Sequence, residues 1–97
     1  MIALWALWGC LAYEDGRAAE GEAACRLREA CDQLAPIGYD HVDACITAAT
    51  NQDWVDCDGY SERRMQECVE AWESAVEAES CELLTDPPDV CAQVCGG

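Results

Sequence analysis

Nine cysteines in 97 residues are the groups here best equipped for chemistry, because a thiol can cross-link, ligate a soft metal or attack an electrophile. Spacing separates these uses. Structural zinc sites come as paired C-x2-C knuckles, and this chain has none. Its one C-x3-C pair is Cys91 and Cys95, and its one histidine is His41. A Cys–His nucleophile would need a free, activated thiolate. Pairing of the eight cysteines from Cys25 to Cys95 leaves none in that stretch, so His41, flanked by Asp40 and Asp43, reads as a surface histidine. The run D-W-V-D-C-D-G, residues 53–59, invites a calcium reading. Placing Gly59 at the obligatory glycine of an EF-hand loop puts Trp54 at its first position and Met65 at its last, so both decisive ligands are missing. Asp53, Asp56 and Asp58 therefore read as a solvated loop. With no phosphate-cradling glycine loop, nucleophile elbow or paired-carboxylate motif, the sequence predicts no catalytic residue, no metal site and no cofactor.

The odd cysteine is Cys10. It follows the apolar run IALWALW, residues 2–8, which is far short of the roughly 20 residues that span a bilayer. An apolar run closed by the small Gly9 looks like the end of a signal peptide without its basic start, which predicts a true initiation site elsewhere. Leu7-Trp8-Gly9-Cys10 resembles a bacterial lipobox, with Trp8 departing from the small residue usual there. That resemblance implies lipidation of Cys10, which then becomes the mature N-terminus. Parity agrees, since an exported chain with nine cysteines leaves one unpaired. Several acyl chains, at about 0.8 kcal/mol per buried CH2, would hold the chain on a membrane. Leu11 after the lipid-bearing cysteine suits outer-membrane sorting by the enterobacterial rule. The expected organisation is a signal-like segment over residues 1–9, the lipidated Cys10 with a flexible acidic tether over 10–21, and a disulfide-rich domain over 22–97.

The elements that must position these cysteines read as helices. From residue 22, Ala24, Leu27, Cys31 and Leu34 recur at steps of three and four, and Pro36 with Gly38 ends that helix. Asp40 suits the N-cap of a second helix with Val42, Cys45, Ile46 and Ala49 on its apolar face. Ser61 caps a third, reaching about Glu79, with the stripe Met65, Cys68, Val69, Trp72, Ala75 and Val76. Asp86 and Pro87 open a fourth, in which Val90, Cys91, Val94 and Cys95 share a face. No useful strand alternation appears. The predicted fold is all-α, with four short helices in two antiparallel hairpins stapled by disulfides. Trp72 belongs to the core; Trp54, in a loop, is open to surface recognition. With no Phe and few large aliphatic residues the core is thin, and a domain this small then needs covalent staples.

The sequence alone does not set connectivity, but nested pairs across the two bends are the geometric expectation: Cys31–Cys45 inside Cys25–Cys57, and Cys81–Cys91 inside Cys68–Cys95. Net charge is −15, with five arginines and no lysine, which repels phosphate backbones and excludes nucleic acid as a partner. The lipobox-like start and the cysteine layout over residues 25–95 resemble the small, Cys-rich, mostly helical lipoproteins abundant in myxobacteria. That resemblance implies an exported, non-catalytic envelope protein, held at the membrane through Cys10, with a structural role or an envelope protein partner. The competing expectation is a thiolate carrier of zinc or copper with Cys91 and Cys95 as its leading ligand pair.

Overall fold

The computed structural model describes residues 11–55 and 57–96; the signal-like segment and Cys10 lie outside these. Among the described residues three α-helices carry the fold: α1 (Tyr13–Ala30), α2 (Val42–Thr50) and α3 (Glu62–Ala78). Three short 3-10 helices, Ala35–Ile37, Cys81–Leu84 and Asp89–Gln93, complete it. Among the described residues there is no strand, only an isolated antiparallel bridge between Tyr60 and Cys95.

The expected tether is not one. α1 begins at Tyr13, and Leu11 before it is buried. Its amide donates to the Glu62 carboxylate, and the Tyr60 hydroxyl donates to its carbonyl. The two glycines that suggested a linker serve packing. A Cβ on Gly16 would sit 2.3 Å from Met65 Cγ, and one on Gly21 would sit 2.7 Å from the Ala49 Cβ. Gly16 thus admits α3 to one side of α1, and Gly21 admits α2 to another. No side chain caps the start of α1; Glu14 and Asp15 in its first turn face the positive end of the helix dipole.

α3 follows its sequence pattern closely. The Ser61 hydroxyl accepts from the Arg64 amide at 3.3 Å, and Met65, Cys68, Val69, Trp72 and Ala75 are buried. Leu27 from α1 and Val94 from the C-terminal segment meet this stripe, all three of Leu27, Met65 and Val94 being fully enclosed. Burying each such side chain is worth about 1.5–3 kcal/mol. Both α1 and α3 end through residues in left-handed backbone that lack glycine's freedom, Asp32 at φ 56° and Glu79 at φ 51°. The amides that follow close the last turns, Gln33 onto the Arg28 carbonyl and Ser80 onto the Ala75 carbonyl.

The expected fourth helix is a 3-10 helix of five residues that begins at Asp89, after Pro88, rather than an α-helix opened by Asp86 and Pro87. A period of three places Cys91 and Val94 on one side, and both are buried against α3. Its end is tied to the start of α3, since the Ser61 amide donates to the Val94 carbonyl at 2.8 Å and the Gly96 amide to the Gly59 carbonyl at 3.0 Å.

Candidate functional site

The eight cysteines from Cys25 to Cys95 form four disulfides, but in none of the expected pairings. They join Cys25 to Cys45, Cys31 to Cys81, Cys57 to Cys95 and Cys68 to Cys91. The expected Cys31–Cys45, Cys25–Cys57, Cys81–Cys91 and Cys68–Cys95 pairs assumed that each bend closes on itself. Instead α1 is the common partner of α2 and α3. As α1 advances from Gly21 to Cys25, its partner in α2 steps back from Ala49 to Cys45, which takes Cys45 from Cys31. Cys31, at the C-terminal cap of α1, then lies beside the end of α3 and bonds Cys81. The 57–60 segment runs against residues 94–96 through the Tyr60–Cys95 bridge, which delivers Cys57 to Cys95. Cys68, on the buried stripe of α3, is left facing Cys91.

The densest chemistry surrounds that last bridge. Tyr13, Arg17 and Glu20 stand at steps of four and three on α1, one face of the helix. Arg17 Nη1 donates to Glu20 Oε1 at 2.7 Å, Nε donates to the Tyr13 hydroxyl at 3.3 Å, and Nη2 donates to the Cys91 carbonyl at 3.4 Å. Burial works to lower the Arg17 pKa, but the hydrogen bonds to Tyr13 and Glu20 and the Glu20 charge outweigh it and raise the pKa above its ordinary value. The second carboxylate oxygen of Glu20 reaches to 3.3 Å from Cys68 Sγ. A disulfide sulfur carries no proton, so this is a close contact rather than a hydrogen bond. Glu20, Cys68 and Cys91 offer ligand atoms within 4.8 Å of one another. With the bridge closed both sulfurs are committed to each other; opened, they would give two thiolates and a carboxylate, a donor set suited to zinc. The expected ligand pair Cys91 and Cys95 is divided between two different bridges.

An aromatic edge adjoins this cluster. The Tyr13 ring meets Tyr60 edge-on with centroids 5.6 Å apart and Trp54 at 6.1 Å, and the Arg17 guanidinium lies 5.3 Å from the Tyr13 centroid and 5.8 Å from that of Trp54. Trp54 is therefore half-buried rather than a free loop side chain, while its neighbour Val55 is 84% exposed. Trp72 packs in the core. His41 is exposed at the N-cap of α2 and makes no capping hydrogen bond with its side chain. Asp53 and Asp58 are exposed, and Asp56 lies outside the described residues. Sequence reading missed Tyr13, Arg17 and Glu20 because the tether assignment covered them; their four-and-three spacing was the available signal.

Comparison of the chain with protein-family models, with curated proteins and with solved structures finds no match.

Proposed function

We propose that this chain is a small, non-catalytic lipoprotein of a bacterial cell envelope, anchored through acyl chains on Cys10 and serving a structural or binding role there. Four disulfides belong to an oxidising compartment outside the cytoplasm, and no helix among the described residues is long and apolar enough to cross a membrane. The observation that carries the reading is the complete pairing of the other eight cysteines, which singles out Cys10, within its lipobox-like context, as the thiol left to modify. Intact mass of the protein purified from its own envelope tests it. The expected mass is that of a chain beginning at Cys10, less two hydrogens per bridge, plus a diacylglyceryl group and an amide-linked acyl chain. A chain retaining residues 1–9 without lipid sinks the reading.

A second reading, a thiolate carrier of zinc or copper, is favoured by the Glu20, Cys68 and Cys91 grouping and concerns a reduced form of the protein. Thiol counting on the native protein separates the two. No free thiol among the eight supports the bridged lipoprotein, whereas free Cys68 and Cys91 with bound metal support the carrier.

A further inference from the structure

The manner in which Leu11 is held has a consequence for any anchor on the residue before it. Leu11 is buried, its amide bonded to Glu62 and its carbonyl to Tyr60, and adjacent Cα atoms are about 3.8 Å apart. Resting on the lipid-anchor reading, we propose that the domain has no slack between anchor and fold and docks directly on a zwitterionic phospholipid surface through the edge formed by Tyr13, Trp54, Val55 and Tyr60.

Contacts run without a break from Leu11 to that edge. Tyr60 touches Leu11 through its hydroxyl and Tyr13 through its ring, and Tyr13 touches Trp54. Acyl chains one residue before Leu11 bring the bilayer to this side of the domain. The exposed apolar contact there is Val55, one of two large hydrophobic residues exposed among those described, the other being Ile37. Behind it the half-buried rings of Tyr13, Trp54 and Tyr60 present apolar edges of the kind that suit a headgroup boundary, their polar atoms being turned into the fold. Charge sets the lipid class and the depth. Glu14, Asp15, Asp53 and Asp58 are exposed around the edge, so anionic headgroups are repelled and insertion stops at the interface, where carboxylates keep their water.

Trp54 is the reporter. In the lipid-bearing protein, which on this reading begins at Cys10, replacing Trp72 by Phe leaves it as the sole indole, and that protein is reconstituted into phosphatidylcholine vesicles with and without bromine on the acyl chains near the headgroup. Docking predicts a blue-shifted Trp54 emission that bromine quenches, with weaker quenching when part of the lipid is replaced by phosphatidylglycerol. Val55→Asp should reduce the quenching roughly twofold or more. If Phe at position 72 prevents folding, the same Val55→Asp comparison in the otherwise unaltered chain reads the difference. Trp54 emission indifferent to bromine in a protein whose intact mass carries the lipid overturns docking and leaves the anchor standing. If the mass carries no lipid, the anchor reading fails. Docking is then decided on a Trp72→Phe chain beginning at Cys10, coupled through the Cys10 thiol to a maleimide phospholipid in the same vesicles: quenching upholds it and its absence overturns it.

Discussion

α3 and α2 each carry one buried cysteine in an amphipathic helix, yet they are held to the molecule by different means. α3 buries Met65, Val69, Trp72 and Ala75 besides Cys68 and is packed by α1 on one side and by the Asp89–Gln93 segment on another. α2, half its length, buries Cys45 alone. Its seat on α1 depends on the Cys25–Cys45 bond and on the Ala49 methyl resting where Gly21 leaves room. The contrast teaches that disulfides do two jobs in one small domain. At α3 a bridge adds to a core that already has closed side-chain contacts. At α2 a bridge substitutes for a core that the helix lacks.

The largest test of that contrast is full reduction. The four bridges span separations of 20, 50, 38 and 23 residues, each worth about 3–4 kcal/mol on the chain-entropy model, against roughly 5–15 kcal/mol for the stability of an ordinary domain. Thiol reductant should abolish the helical circular dichroism at 25 °C, and chelators should leave it unchanged. Helicity that persists after reduction would mean that the α1–α3 core stands without sulfur.

Next in size is Met65→Ala, which opens a cavity against Gly16 in the fully enclosed centre of the α1–α3 contact. The expected loss is about 2–5 kcal/mol, seen as a single earlier denaturant midpoint with all amides affected together. Replacing Cys25 and Cys45 by Ala removes a staple worth about 3 kcal/mol by the same loop-entropy argument, but its effect should be local. Amides of 42–50 should exchange faster while those of 65–75 keep their protection. Equal loss of protection in both helices would show that α2 belongs to the same cooperative unit as α3 and that its bridge plays no separate role.

The sequence carried α3 almost whole, because its cap, its period and its burial agree. Ser61, Met65, Cys68, Val69, Trp72 and Ala75 each point to the same helix, and such agreement between local and global signals makes an element readable. α1 was half legible. Its start has no capping side chain, and Gly16 and Gly21 imitate a linker. Only the positions of Met65 and Ala49, far away in sequence, show why glycine stands there. The cysteines were legible as a set and illegible as pairs for the same reason. Connectivity depends on which helices meet, and the broad contact between α1 and α3 leaves no local mark. The Arg17–Glu20 pair beside Cys68–Cys91 was lost with the start of α1.

The smallest effect concerns the charge carried between the two well-packed helices. Burial raises the Glu73 pKa above its ordinary value, and Glu70 and Glu77 on α3 and Glu22 on α1 push it the same way. The folded protein then holds that proton at pH values where the unfolded chain has released it, so ν_U − ν_N is negative and stability falls as pH rises. The favourable contribution is complete below the unfolded value of 4.5 and is lost as pH climbs through the higher folded value. Glu73→Gln should therefore raise the melting temperature at pH 7, with a gain that shrinks as pH is lowered toward 4. Because Glu73 is largely solvent-screened, the gain should stay below about 1 kcal/mol. The corresponding neutral substitution beside the α2 staple, Asp43→Asn, should give no gain in melting temperature at pH 7, since Asp43 lies exposed in the first turn of α2 where its charge complements the helix dipole. A matching gain there would mean that the carboxylates repel one another across the whole surface, and that crowding between α1 and α3 is not what sets Glu73 apart.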